Sequence, residues 1–277
     1  MDLKEKLNMI KGTYSKLSNL EDTQISEDSE ICPICHGAEW ILKEINGVEV
    51  AVPCQCREKA IMKRRRHFAE IPDAFRDISL KTFSINVYRT NEGKEKARIA
   101  CKIIKEYLNM FDEAKENGMG LYIFSKAKGS GKTRMAASIA NDLMQNRNTQ
   151  VKFSTSVSIL DEIRRSYDRE SDYTESRVID SLVMAEVLII DDFGTEKVTE
   201  WVKNKFYGII NQRYIYKRPT IFTSNESLST ISYDDRITSR IKETCYQIDF
   251  PEESVREYIA EENMKNIINK ALCKKVE

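Results

Sequence analysis

FSKAKGSGKTRMA, from Phe124 to Ala136, follows directly on the apolar residues Leu121–Ile123 and leads into a helical pattern. It nearly matches G-x-x-x-x-G-K-[ST], a loop whose backbone N–H groups and following helix N-terminus bind phosphate. Lys126 stands where that pattern has its first glycine. The first position mainly turns the chain, and the residues that contact phosphate come later. The stretch therefore predicts a nucleotide site between a strand and a helix, although a G-K-T triplet also arises by chance.

The second half of this loop supplies the predicted ligands. Two glycines permit a close approach of the backbone to phosphate. Lys132 is predicted to reach the β- and γ-phosphates of ATP, and the Thr133 hydroxyl to bind Mg²⁺. The predicted cofactor-binding residues of the loop are Gly129, Ser130, Gly131, Lys132 and Thr133.

Two further apolar segments end in polar residues. AEVLIIDDFG ends its apolar run at Asp191 and Asp192, about sixty residues after the loop. Asp191 is predicted to hold Mg²⁺ and Asp192 to polarise the attacking water. RPTIFTSN ends at Asn225, which is predicted to orient that water. The alternatives are a solvated acidic turn for the aspartates and a loop-capping role for the asparagine.

Apolar runs and helical patterns alternate from about residue 120 onward, which predicts an α/β fold with a mainly parallel sheet covered on both faces. A long helical stretch, Glu92–Lys115, precedes them. The predicted strands are Leu121–Ser125, Gln150–Ser154, Val187–Asp191, Thr220–Thr223 and Tyr246–Phe250. The predicted helices are Lys132–Met144, Ser158–Tyr167, Thr199–Tyr216 and Ser254–Ala271.

A cysteine pattern precedes this region. Cys32 and Cys35 form a C-x-x-C pair, Cys54 and Cys56 form a C-x-C pair, and eighteen residues lie between the two pairs. Two such pairs complete a tetrahedral Cys₄ zinc site, and the residues between them read as a hairpin that turns at Asn46–Gly47. A redox C-x-x-C and free thiols are the alternatives. The remaining cysteines, Cys101, Cys245 and Cys273, are predicted to be packing residues.

The N-terminal residues 1–20 place apolar side chains at helical spacing, namely Leu3, Leu7, Ile10, Tyr14 and Leu17. This stripe fits docking to a partner or packing onto the chain's own cysteine module. Lys63–His67, KRRRH, fits either nucleic-acid contact or a solvated basic helix. The predicted organisation is an amphipathic helix at 1–20, a zinc module with a basic linker at 21–69, and the α/β domain at 70–277.

The composition is that of a soluble globular protein. Of the 277 residues, 41% are hydrophobic and 32% are charged. Lys and Arg number 44, as do Asp and Glu, so overall charge neither indicates nor excludes a nucleic-acid partner. No apolar run approaches the roughly 18 residues of a membrane helix, and the first residues lack a signal-peptide core. We therefore expect a cytoplasmic protein without a membrane partner.

Five motifs resemble those of AAA+ ATPases, and more narrowly the DnaC/DnaI-type replicative helicase loaders, including phage versions, and the related IstB-like transposition ATPases. The resemblance covers roughly residues 70–260 and rests on GSGKT, LIIDDFG, INQRY followed by KRPTIFTSN, RITSRI, and SVREY. It implies a Walker A role for Lys132 and Thr133 and a Walker B role for Asp191 and Asp192. It further implies that Asn225 is the sensor 1 residue, that Arg240 is the arginine finger and that Arg256 is a sensor 2-like arginine.

Two positions depart from the family pattern. Lys126 replaces a glycine, and Asp192 stands where most AAA+ proteins have glutamate. Both put the rate of ATP turnover in doubt more than ATP binding.

The resemblance implies an ATP-dependent loader that places a ring-shaped, hexameric replicative DNA helicase onto single-stranded DNA. The N-terminal region would bind the helicase, and the ATPase domain would self-associate and contact the DNA. Hydrolysis is expected to be slow until DNA or the partner stimulates it. One alternative is a transposition helper ATPase, against which the Cys₄ module argues. The other is a non-hydrolysing ATP-binding adaptor, for which Lys126 is the best support.

Overall fold

The structure is a computed structural model that describes residues 31–45, 47–167 and 174–273. The chain divides into two compact units, Met1–Ala60 and Ile61–Glu277, which are described separately. The predicted amphipathic helix at residues 1–20 lies outside the described residues, as does Asn46 of the predicted turn. Within the described ranges, no helix has both the length and the apolar character needed to cross a membrane.

The first unit contains the predicted hairpin. Strands β1 (Trp40–Ile45) and β2 (Val48–Pro53) pair antiparallel, with Trp40 opposite Pro53 and Ile45 opposite Val48. The guanidinium of Arg57 lies 3.9 Å from the centroid of the Trp40 ring. Because the two cysteine pairs flank the hairpin in sequence, closing the hairpin brings them to the same end of it.

The second unit is built on a five-stranded parallel sheet in the order β4-β5-β6-β3-β7. All five predicted strands are confirmed, each to within one residue at either end. The strands are β3 (Gly120–Phe124), β4 (Val151–Thr155), β5 (Val187–Asp191), β6 (Thr220–Ser224) and β7 (Cys245–Asp249). The helices are α1 (Arg57–Ala69), α2 (Asn91–Asn109), α3 (Phe111–Asn117), α4 (Lys132–Asn146), α5 (Ser156–Arg165), α6 (Glu175–Met184), α7 (Glu200–Ile215), α8 (Asp235–Thr244) and α9 (Val255–Cys273).

The helix prediction was incomplete in three places. The single helix predicted at Glu92–Lys115 is two helices, because the chain leaves helical geometry at Met110 (φ −96°, ψ 19°). Helices α6 and α8 were not predicted, because each is short and buries only a few residues. Their N-caps, Thr174 and Asp234, are residue types that favour the start of a helix, so the sequence did contain a signal. Each accepts a hydrogen bond from the backbone N–H three residues further along the chain.

The sheet is covered on both faces, as predicted. Leu121 and Ile123 of β3 belong to a buried apolar cluster that also contains Ile104 of α2 and Met135 of α4. Tyr122, between them, belongs to a second cluster with residues of α5, α7 and α8. This alternation follows from the two-residue period of a strand. Because all strands run parallel, the ends of β3, β5 and β6 meet at one edge, where ligands bind in open α/β sheets.

A buried arginine connects α6, α7 and β6. Arg213 is 1% exposed, and its guanidinium donates to Thr220 Oγ1 at 2.9 Å and to four backbone carbonyls. The carbonyls and their distances are Leu182 (2.8 Å), Val183 (3.0 Å), Ala185 (2.8 Å) and Pro219 (2.6 Å). Burial, with a smaller contribution from Arg218, lowers the pKa of Arg213 to about 9. Arg213 thus supplies donors to the otherwise unpaired carbonyls at the end of α6.

Replacing Arg213 is expected to destabilise the fold. Arg213→Met keeps an apolar stem but removes the donors of the buried carbonyls, and each buried group left unpaired costs about 1–3 kcal/mol. We expect the free energy of unfolding, measured by urea denaturation, to fall by at least about 3 kcal/mol. The control Arg98→Met removes an exposed ion pair with Glu95 and should cost under about 1 kcal/mol. Equal losses in the two variants would contradict this role.

Candidate functional site

The predicted phosphate loop joins β3 to α4, and its two glycines have left-handed backbone angles. Gly129 has φ +77° and Gly131 has φ +101°, a region that residues with a side chain rarely adopt. Gly131 caps the N-terminus of α4, which starts at Lys132. Lys126 is not among the described residues with positive φ. The backbone at that position therefore does not require glycine, which explains how the loop tolerates a lysine there.

The side chain of Lys132 forms hydrogen bonds within the phosphate loop. Its side chain is largely buried, and Nζ donates to Ser125 O at 3.1 Å, to Ala127 O at 3.1 Å and to Ser130 Oγ at 3.2 Å. Burial lowers the pKa of Lys132, while the nearby carboxylates oppose that shift. The amino group is thereby held at the N-terminus of α4, beside the backbone N–H groups of the loop.

The two predicted Mg²⁺ ligands lie side by side. Thr133 Oγ1 donates to Asp191 Oδ2 at 3.0 Å, and Thr223 Oγ1 donates to Asp191 Oδ1 at 2.6 Å. Asp191 is 3% exposed, and burial raises its pKa to about 6 against the opposing effect of these hydrogen bonds. A hydroxyl and a carboxylate are oxygen ligands of the kind Mg²⁺ takes, so the donor set fits this ion.

Thr223 is a site residue that the sequence analysis missed. Besides donating to Asp191, its hydroxyl accepts a hydrogen bond from Asp192 N at 2.9 Å. Asp192 has left-handed backbone angles (φ +53°), so the chain turns sharply between the two aspartates. The signal in the sequence was a threonine directly after the apolar pair Ile221–Phe222, near the strand end that meets the aspartates.

A cleft of about 450 Å³ lies above the loop. It brings together most of the predicted site residues, because Gly129, Lys132, Thr133, Asp192, Asn225 and Arg256 all line it. Arg256 comes from the first turn of α9, and a Cβ atom added at Gly129 would lie 2.9 Å from Arg256 Cδ. A larger residue at position 129 would therefore collide with the predicted sensor 2-like arginine.

Arg240 lies elsewhere. It does not line this cleft but packs against α7 of its own chain. Its guanidinium donates to Asn211 Oδ1 at 2.9 Å and to Arg236 O at 2.6 Å, and it lies 5.0 Å from the centroid of the Tyr207 ring. Asn211 and Tyr207 were not singled out from the sequence. They fix the direction of an arginine that is separate from the nucleotide cleft of the same chain.

The four cysteines of the first unit form a compact cluster. The Sγ atoms all lie within 4.8 Å of one another, with Cys32–Cys54 at 3.8 Å and Cys35–Cys56 at 3.3 Å. Zn–S bonds of about 2.3 Å in a tetrahedron separate sulfur atoms by about 3.8 Å, so the cluster fits zinc. Hydrogen bonds from the backbone amides of Cys35 and Ile34 lower the pKa of Cys32, whereas the neighbouring thiols and burial raise the pKa of Cys56.

Two of the other cysteines have the packing role that was predicted. Cys245 is buried in the second apolar cluster, and burial raises the pKa of its thiol to about 12. Cys101 is partly buried against the first cluster. The side chain of Cys273 lies outside the described part of the chain.

The parallel sheet, the phosphate loop and the paired aspartates define an ATP-binding protein of the AAA+ class. Residues 102–257 match the family model of the IstB-like ATP binding proteins, and the chain belongs to that family.

Related proteins also include helicase loaders. The chain is 28% identical to the phage-like element PBSX protein XkdC of Bacillus subtilis, over 77% of this chain and 79% of XkdC. It is 31% identical to the replicative helicase loader DnaI of the same organism, over 45% of this chain and 38% of DnaI. The crystal structure of the DnaC helicase loader superposes with a TM-score of 0.54 at 20% identity, covering 65% of this chain and 99% of that chain. The predicted resemblance to DnaC/DnaI-type loaders, phage versions included, is confirmed.

The loop geometry predicts how three substitutions affect ATP binding. Lys126→Gly should leave the affinity for Mg²⁺–ATP within about tenfold, or roughly 1.4 kcal/mol, because the backbone there is not left-handed. Gly131→Ala should weaken binding by about tenfold or more, because a non-glycine residue in left-handed geometry costs about 1–2 kcal/mol. Lys132→Ala should abolish binding. Fluorescence titration with a labelled ATP analogue measures all three. Binding that exists in Lys126→Gly but not in the wild type would show that the natural loop is inactive.

Proposed function

We propose that this protein is an ATP-hydrolysing loader that places a ring-shaped, hexameric replicative helicase onto single-stranded DNA. The observation that carries the proposal is the nucleotide cleft, which the phosphate loop and Asp192 line and beside which Thr133 bonds Asp191. The relatives of the chain include replicative helicase loaders. The motifs RITSRI and SVREY extend the resemblance beyond a generic nucleotide site.

Each cleft residue has a role in this proposal. Lys132 and the amides of Gly129, Ser130 and Gly131 bind the ATP phosphates, while Thr133 and Asp191 hold Mg²⁺. Mg²⁺ supplies positive charge that neutralises the phosphate oxygens. Asp192 accepts the proton of the attacking water.

Two residues of the cleft complete the proposed machinery. Asn225, just beyond the end of β6, orients the attacking water. Arg256 lies beside Gly129 and is proposed to contact the γ-phosphate.

Arg240 is proposed to act on the ATP of a neighbouring subunit. It lies outside the cleft of its own chain and is held by Asn211 and Tyr207, so its guanidinium is fixed before any partner arrives. Self-association through the ATPase domain would bring this group to the next cleft. Slow hydrolysis by the isolated chain, and stimulation when DNA or helicase gathers subunits, both follow from that arrangement.

The N-terminal part of the chain is proposed to bind the helicase. We assign this role to residues 1–69, comprising the predicted amphipathic helix and the cysteine module with its basic linker, and the ATPase role to residues 70–277. The distances within the sulfur cluster support a structural Zn²⁺ held by Cys32, Cys35, Cys54 and Cys56. A metal in so small a module supplies much of its folding free energy.

A transposition helper ATPase is the second candidate, favoured by the match to the IstB-like family. The cysteine cluster argues against it, as does the resemblance to helicase loaders over a large part of the chain. A non-hydrolysing adaptor is the third, and measuring ATP turnover in the presence of DNA separates it from a loader.

The purified protein is expected to contain one Zn²⁺ per chain. Cys54→Ser should remove the metal and abolish capture of the replicative helicase, because the metal organises the proposed binding module. ATP binding should be retained, because the cleft lies in the second unit. Cys101→Ser is the matched control and should keep both metal and helicase. Elemental analysis and co-purification measure these outcomes. A wild-type protein that contains no zinc under reducing conditions would refute the metal assignment. Helicase capture by a variant that lacks residues 1–69 would show that the helicase binds the ATPase domain instead.

Arg240→Ala should bind ATP normally but lose the DNA-stimulated rate. Arginine fingers contribute about 10³ to 10⁵ in rate in GTPases, and a loss on that scale is expected here. Mixing Arg240→Ala with Lys132→Ala should recover some activity, because each variant retains the group that the other lacks. Lys242→Ala, two residues further along α8 and therefore on another side of the helix, is the control and should retain the stimulated rate. If Arg240→Ala already reaches the stimulated wild-type rate, the assignment in trans is wrong.

A further inference from the structure

Glu252 contacts the phosphate loop at the point where the glycine is missing. Its carboxylate accepts hydrogen bonds from Lys126 N at 3.1 Å and from Ala127 N at 3.0 Å. Ser125 Oγ lies 3.3 Å from the same carboxylate and also accepts a hydrogen bond from Ala127 N at 3.1 Å. A carboxylate that accepts backbone N–H bonds makes charge-assisted hydrogen bonds, which are roughly twice as strong as neutral ones.

Lys132 forms hydrogen bonds with the same segment, residues 125–127, through the carbonyl groups of that segment. Its Nζ donates to the carbonyls of Ser125 and Ala127, while Glu252 receives the N–H groups of Lys126 and Ala127. The first turn of the loop is therefore held through both its donors and its acceptors. The amides of these two residues point to Glu252, which leaves the later amides of the loop for phosphate.

Glu252 belongs to a strap, residues 251–256, that runs from the end of β7 into the first turn of α9 and contacts the phosphate loop. Pro251 O accepts a hydrogen bond from Ser125 Oγ at 2.8 Å, and Val255 N donates to Gly129 O at 2.9 Å. The strap thus bonds the loop at its first turn and again at its glycine. The next residue, Glu253, instead accepts hydrogen bonds from Arg89 N at 2.7 Å and Thr90 N at 3.2 Å.

We infer that Glu252 is a positioning residue for nucleotide binding, which holds the first turn of the phosphate loop in place of the glycine that Lys126 replaces. The inference rests on the proposed nucleotide function. Carboxylate bonds to the two amides fix the turn without left-handed backbone geometry, so a lysine is accommodated.

Amide hydrogen exchange of the full-length, nucleotide-free protein tests this contact directly. Glu252→Ala should accelerate exchange at Lys126 by about tenfold or more, because this amide loses its acceptor, and by less at Ala127, whose amide also donates to Ser125 Oγ at 3.1 Å. Glu252→Gln keeps one carbonyl acceptor and should show a smaller acceleration. Glu253→Ala is the matched control, since it should accelerate exchange at Arg89 and Thr90 and leave the loop amides unchanged.

ATP kinetics provide the second readout. In Glu252→Ala the KM for Mg²⁺–ATP should rise about tenfold while kcat stays within about twofold, because Glu252 shapes the binding loop without contacting the reacting atoms. Glu253→Ala should change neither constant. A structural role unrelated to the loop would not produce this separation of KM from kcat.

The outcomes distinguish this inference from the function on which it rests. Unchanged exchange at Lys126 and Ala127 in Glu252→Ala would overturn the positioning role, even in a protein that binds and hydrolyses ATP. A wild-type protein that binds no ATP would refute the proposed function, while the exchange experiment would still decide whether Glu252 holds the turn. If Glu252→Ala does not fold, amide exchange is measured in Glu252→Gln instead. Loop amides that are as protected in Glu252→Gln as in the wild type would then overturn the inference.

Discussion

The buried carboxylate of Asp191 is the interaction on which the nucleotide cleft depends. It accepts one hydrogen bond from a hydroxyl of α4 and another from a hydroxyl of β6. A single side chain at the end of β5 therefore joins this strand both to β6 and to the helix after the phosphate loop. Burying a carboxylate is costly unless its oxygens are hydrogen-bonded. The two threonines provide that compensation, and in doing so they set the distance between the loop and the paired aspartates.

The residues proposed to take part in hydrolysis form two sets, which differ in the element that holds them. Lys132, Thr133 and the aspartates are held by the parallel sheet and by the helix that follows β3, so they stand ready in a single chain. Arg240 is anchored on α7, away from that cleft. Under the proposed function, such a protein would bind nucleotide as a single chain and complete its catalytic set only when subunits assemble.

The parallel strands were predictable because strands buried on both faces read as continuous apolar runs, such as VLIID at β5. The loop glycines and Asp191 were predictable because their chemistry depends on residue type and local spacing. Thr223 and Glu252 were not, because each acts through a contact with a distant segment: Thr223 lies 32 residues from Asp191, and Glu252 lies 126 residues from Lys126. Arg213 was not predicted for a different reason, because an arginine in a helix is usually exposed.

Loading onto closed circles of single-stranded DNA tests the central claim most directly, because a helicase ring cannot thread onto a strand that has no end. Helicase, this protein and Mg²⁺–ATP are incubated with the circles, and the helicase retained on DNA is measured after a wash at high salt. The account predicts retained helicase with the wild-type protein and none with Lys132→Ala. Equal retention with the wild type, with Lys132→Ala and with no loader would contradict it.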